Sequence, residues 1–283
     1  MRLQVEGFRL PSGLALLLLA ATVATAQEAT DAGRPRPPEG SRIINLPSAE
    51  VMSEGSLGVL FIHRFNEPLG DSNLRSFFSL DKGADNTFGV SYSPIRSLEV
   101  TFDRSSNEDD YELAAKYRFL QAVEGRPIAA ALRVGGNART EVGIEDRYAF
   151  FAQGIAAVSL GSRVRFSVIP TYVSNTPLFR AVFNVPIALS VALTRSINFQ
   201  GEFYPKNRDF TERTAAENLP ARKTSAGWLV AIEKTVLRHR FAFTFGNLRA
   251  TNVDQYTGSD FLGGLPRRDV LLGFNIVRQW KLK

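Results

Sequence analysis

The sequence predicts an all-β protein, an antiparallel up-and-down transmembrane β-barrel of about 12 strands. Three observations lead there. Apolar and polar residues alternate in runs of roughly ten from Ser56 onward, the connections between runs are short and long in turn, and only one continuous apolar stretch occurs, near the N-terminus. The 283 residues are 44% hydrophobic and 22% charged, with no cysteine, so disulfide frameworks, cysteine nucleophiles and cysteine zinc sites are excluded. A near-neutral mean hydropathy and a single apolar run exclude a helical membrane protein, because each spanning helix needs about 20 apolar residues.

In the apolar stretch, Arg2 and Arg9 precede Leu14 to Val23, and the small residues Ala24, Thr25 and Ala26 follow. This pattern is that of a secretory signal peptide over residues 1–26, cleaved near Ala26. Residues 27–41 carry Pro35, Pro37, Pro38, Gly33 and Gly40, a composition that predicts a flexible periplasmic arm. Residues 42–283 are then the barrel. The net charge of +6 is dispersed along the chain rather than gathered in a stripe, so no nucleic-acid partner is expected.

The alternation runs through Leu57, Val59, Phe61 and Phe65, then Phe88, Val90 and Tyr92, then Leu98, Val100 and Phe102. It is clearest over Tyr111, Leu113, Ala115, Tyr117 and Phe119, opposed by Glu112, Lys116 and Arg118. Further runs are Ile128 to Val134, Tyr148 to Leu160, Val164 to Tyr172, Phe183 to Leu193, Ile197 to Phe203, Trp228 to Ile232, Phe241 to Phe245 and Val270 to Ile276. Pro170 and Pro186 interrupt neighbouring runs and cannot donate ladder bonds, so each predicts a bulge or a local break in pairing. Short connections such as Pro94 to Ser97, Gly161-Ser162 and Leu237-Arg238 alternate with long ones such as Glu67 to Asp85, Asn207 to Lys223 and Leu248 to Asp269. An outer-membrane barrel has this alternation of periplasmic turns and external loops.

Arg42-Ile43-Ile44-Asn45-Leu46-Pro47-Ser48-Ala49-Glu50-Val51, with Gly55 and His63-Arg64-Phe65, resembles the opening of a family of bacterial outer-membrane β-barrels catalogued as a domain of unknown function. Phe77-Phe78-Ser79-Leu80-Asp81, Tyr111-Glu112-Leu113 and Lys116-Tyr117-Arg118 are similar to the same family. The resemblance spans about Arg42 to Trp280 and implies a barrel and an envelope address in a Gram-negative cell, not an activity. Many outer-membrane barrels end on an aromatic residue read by the barrel-insertion machinery; here Trp280 is followed by Lys281-Leu282-Lys283.

With the aromatic face against outer-membrane lipid, the inward set comprises Glu99, Asp103, Glu112, Glu202 and Glu233 against Lys116, Arg118, Arg133, Arg163, Arg165 and Arg240. These charges nearly balance and are expected to form a lumenal network, either filling the barrel or lining a narrow polar pore. His63 and His239 are the two histidines, and the position two residues on is Phe65 or Phe241 rather than the serine a membrane lipid hydrolase needs. No catalytic residue, metal site or cofactor is expected. The acidic loop Arg104 to Asp110, next to Asp103, lacks ordered calcium-ligand spacing. The expected role is a non-enzymatic narrow pore or transport-related protein. The alternatives are a structural or docking barrel that binds a periplasmic or extracellular protein through its arm or long loops, and a lipid hydrolase.

Overall fold

The computed structural model describes residues 40–71, 83–123, 126–143, 147–177, 179–207, 225–258 and 270–282. The expected signal peptide and nearly all of the arm, through residue 39, lie outside them, as do most of the Asn207 to Lys223 loop and Phe77 to Asp81.

Fourteen strand segments form one sheet: β1 (Ser56–Phe65), β2 (Ala84–Ile95), β3 (Leu98–Ser105), β4 (Asp110–Leu120), β5 (Ile128–Arg139), β6 (Tyr148–Leu160), β7 (Val164–Val168), β8 (Thr171–Asn175), β9 (Arg180–Asn184), β10 (Ile187–Ala192), β11 (Ile197–Tyr204), β12 (Gly227–Val236), β13 (His239–Gly246) and β14 (Leu271–Lys281). All pairings are antiparallel. β1 pairs with β14, and β5 pairs with both β4 and β6, so the sheet closes on itself. Closure leaves no edge whose amides would face hydrocarbon.

β7 and β8 are one spanning strand divided at Ile169-Pro170, and β9 and β10 are one divided at Val185-Pro186, so the barrel has 12 strands. Val168 faces Ala156 and Thr171 faces Gln153, so the register runs across Pro170 without a bulge. The same holds at Pro186, where Val168 faces Ile187 and Thr171 faces Asn184. Each proline carbonyl still accepts a ladder bond, from Gly154 and Ile169 respectively, both at 2.9 Å. Of the two outcomes the prolines predict, the structure therefore has the local break and not the bulge, because only the missing N–H is lost.

The outer surface is apolar and aromatic. Phe88, Phe102, Leu113, Tyr117, Phe119, Phe150 and Phe183 are all exposed, while Glu112 and Lys116, on the opposite phase of β4, are buried in the interior. This inversion of an ordinary soluble protein is what a hydrocarbon solvent selects. Among the described residues no helix is long and apolar enough to cross a membrane.

The lumen is occupied by chain. Residues 40–52 fold into a hook before β1, a tight hairpin in which Ile43 donates to Leu46 O at 2.9 Å and Ser48 to Ser41 O at 3.0 Å, with Arg42 bridged to Pro47. Gly55 takes φ +70 at the bend from the hook into β1, a conformation that favours glycine. From the opposite end, the connection after β13 turns inward and forms a short helix, α1 (Val253–Gly258), every residue of which is buried. Wall alanines, including Ala129, Ala131, Ala149, Ala188, Ala231 and Ala242, pack with Ile43, Ile44 and Leu46 of the hook and Val253 and Tyr256 of α1. Small wall side chains leave the width that the inserted backbone fills.

Candidate functional site

The hook is held mainly by polar contacts. The Glu202 carboxylate accepts from the backbone N–H groups of Ile44 (2.8 Å), Asn45 (2.9 Å) and Leu46 (2.8 Å), and from the Tyr204 hydroxyl at 2.7 Å. Three successive amides converging on one carboxylate form a backbone nest. Asn275 donates to Ile44 O at 2.9 Å, Arg64 donates to Asn45 Oδ1 at 3.0 Å, and Lys116 donates to Ser41 O at 2.7 Å. Arg42 pairs with Asp103, and Met52 N donates to Glu99 at 3.0 Å. Gly89, on the neighbouring strand, leaves space against which the Asp103 carboxylate lies. At the short-turn end, Glu50 receives both Arg118 (2.7 Å) and Arg165 (2.9 Å).

The wall also pairs within itself. Arg133 reaches Glu112 at 2.5 Å, Arg240 reaches Glu233 at 2.5 Å, and Lys116 lies 3.4 Å from Glu99. Glu112 additionally accepts from Val253 N at 2.7 Å, which holds the start of α1. Asn252 donates to Asp110 at 2.7 Å, Gln153 donates to the Tyr256 hydroxyl at 3.0 Å, and Arg139 lies 3.6 Å from Asp254. The two inserted segments meet where Asn45 donates to Ala250 O at 2.9 Å. Between them remains a cavity of about 40 Å³, lined by Arg42, Glu99, Asp103, Glu112, Arg133 and Tyr256 among others. That volume holds only a few waters at about 10–15 Å³ each.

Of the eleven residues expected to face inward, Glu99, Asp103, Glu112, Lys116, Arg133, Arg165, Glu202, Glu233 and Arg240 are buried, and Arg118 is half-buried. Arg163 is exposed in the turn between β6 and β7, where the two-residue alternation lapses. Periodicity misses Arg42, Glu50 and Asp254, which lie in the inserted segments and have no strand phase. Arg64 and Arg139 were available to it, since each sits opposite the apolar phase of its strand; both are almost fully buried.

The inserted segments carry shifted groups. Burial alone would lower the Arg42 pKa, but the carboxylates of Asp103 and Glu112 outweigh it and hold the guanidinium above its ordinary value. Asp254 is pushed well above the usual carboxylate range by burial and then by the neighbouring Asp110 carboxylate, against the opposing effect of Arg139. Burial also raises the Tyr256 hydroxyl.

The histidines lie outside the lumen. His63 Nδ1 is 2.6 Å from Asn86 Oδ1 and its ring stacks on Phe274 at 5.0 Å, while His239 stacks on Phe241 at 5.8 Å. Among the described residues no cluster of His, Asp or Glu has the arrangement to hold a metal ion.

A closed barrel with an aromatic exterior and an ionic interior defines a membrane-bound β-barrel. The family described as "Membrane bound beta barrel domain (DUF5777)" matches residues 39–280, and the chain belongs to that family. No curated protein matches the sequence. Among solved structures, the chain is similar in fold to an outer membrane channel from Pseudomonas putida F1, with TM-score 0.52 and 12% identity over 82% of this chain and 98% of that one. The NanC porin aligns with TM-score 0.48 and 11% identity over 80% and 100% of the two chains. Outer membrane phospholipase A from Escherichia coli aligns with TM-score 0.43 and 9% identity over 79% and 89%.

Proposed function

We propose that the protein is a non-enzymatic gated passage for small polar solutes across the outer membrane, closed by its own hook. The observation that carries this reading is how the hook is held. Among the described residues its only bridge is internal, between Arg42 and Pro47, and its anchors are side-chain and nest contacts rather than ladder bonds to the wall. It can therefore leave without breaking a strand pairing. What it would uncover is a wall of Glu99, Asp103, Glu112, Lys116, Arg133 and Arg240, a surface that water wets. The N-terminal arm continues from Gly40 at the hook's root, so a periplasmic partner gripping the arm would pull the hook directly. Docking through the Leu248 to Asp269 loop fits less well, because residues 248 and 250–258 are buried in the barrel.

Conductance in planar bilayers tests the reading. The full mature chain should open rarely, whereas a variant lacking residues 40–52, with α1 still in the opposite end of the lumen, should open more often. A folded deletion variant that stays silent would overturn the proposal.

A further inference from the structure

Resting on that reading, we infer that Arg118 and Arg165 form a carboxylate-binding subsite at the short-turn mouth, which Glu50 of the hook occupies in the closed state and a solute carboxylate can take in its place. One carboxylate satisfies both arginines: Glu50 Oε2 accepts from Arg118 Nη1 at 2.7 Å and Oε1 from Arg165 Nη1 at 2.9 Å. Each guanidinium is fixed by a second contact. Arg118 Nη2 donates to Arg96 O at 3.1 Å, and Arg165 Nε donates to Ser159 Oγ at 3.2 Å. Two oriented guanidinium groups on β4 and β7, strands that β5 and β6 separate, suit a planar, two-oxygen anion better than a point charge.

Accessibility separates the Glu50 latch from the deepest pair of the network. Glu50 is 18% exposed with Arg118 at 12% and Arg165 at 9%, whereas Lys116 and Glu99 are each at 2%. The latch is thus partly open to a solute entering from the short-turn end, inside the exposed Arg96–Glu54 pair. Withdrawal of the hook leaves Lys116–Glu99, Arg133–Glu112 and Arg240–Glu233 paired within the wall, whereas Arg118 and Arg165 lose the Glu50 carboxylate that bridges them. Competition for one subsite couples solute arrival to gate release.

The absence of cysteine allows a clean test on the full mature chain. Ser48 is buried in the hook, so S48C reacts with a membrane-impermeant maleimide only when the hook leaves. Sodium acetate should speed labelling relative to sodium chloride at the same ionic strength. In E50Q, labelling should be about tenfold faster, the scale of losing one charge-assisted, partly exposed latch, and acetate should add nothing. R118Q/R165Q should behave alike, and R118K/R165K, which keeps the charges and loses the planar fork, should show a weakened acetate effect. Equal rates in acetate and chloride, or an E50Q that labels as slowly as the parent, would overturn the subsite. A silent hook deletion in bilayers would instead remove the passage while leaving an observed acetate effect standing, so the two failures are distinguishable.

Discussion

Glu202→Ala is the sharpest perturbation of the hook that leaves the barrel wall intact. Glu202 sits on β11, whose ladders to β10 and β12 are backbone bonds that the substitution does not touch. Its carboxylate is the acceptor for three buried amides, those of Ile44, Asn45 and Leu46, at 2.8 to 2.9 Å. Alanine leaves all three without that acceptor, and each buried orphan donor costs about 1–3 kcal/mol. The hook should lose at least about 3 kcal/mol of docking free energy, which is about a hundredfold in its opening equilibrium. Amide hydrogen exchange in detergent micelles reads this directly: the Ile44, Asn45 and Leu46 amides should lose at least about a hundredfold of protection while the strand amides of β10 to β12 keep theirs. If the hook amides stay as protected as in the parent, or if strand protection falls with them, the hook is not an independently removable unit and the reasoning fails.

Three further outcomes are expected. Leu132→Arg places a charge on the lipid-facing phase of β5 and should lower folding stability in bilayers by about 2–4 kcal/mol if it lies near the midplane, measured by urea titration in lipid vesicles. Pro170→Ala supplies the missing N–H opposite Gly154 without changing register, and should alter stability in the same titration by no more than about 1 kcal/mol, in the favourable direction. Asp254 has its carboxyl raised by burial and by Asp110, so the docked loop binds a proton that the undocked loop releases. Stability contributed by this loop is then greatest at low pH and falls as pH rises from the ordinary value of 3.8 through the raised one. Asp254→Asn, which mimics the protonated form, should unfold thermally at a higher temperature than the parent on the alkaline side, with the gap closing as pH falls.

The barrel was legible because a membrane wall imposes the strictest two-residue alternation a chain can carry. On β4 the outward Tyr111, Leu113 and Tyr117 and the inward Glu112 and Lys116 follow from sequence alone, and connection lengths add the topology. The same rule gives Arg163 and Arg165 one phase, but Arg163 is exposed and Arg165 buried, because at Arg163 the chain has left β6 and not yet entered β7. The hook was not legible. Ile43, Ile44 and Leu46 have no strand period, and the group that holds them, Glu202, is more than 150 residues away in the chain. Likewise Asp254 and Tyr256 read as external loop because six helical residues inside a long connection carry too little pattern to predict an inward fold.

The chemistry of the plug bears on why the network exists. A permanent stopper gains nothing from ionic groups, since replacing a buried ion pair by packed apolar side chains is often neutral or stabilising by about 1–4 kcal/mol. Here the reverse choice recurs. Asp103 faces Arg42, Glu50 faces Arg118 and Arg165, and Glu202 faces three amides, while the apolar hook residues Ile43, Ile44 and Leu46 join the buried cluster of alanines and larger wall side chains. An apolar wall would stay dry and collapsed once the hook left, whereas a wall that retains Lys116–Glu99, Arg133–Glu112 and Arg240–Glu233 rehydrates with most of its charge already compensated. On the proposed reading, polar anchoring of the hook and self-pairing of the wall would together lower the free-energy difference between closed and open barrels, which is the property a reversible gate requires and a structural core does not.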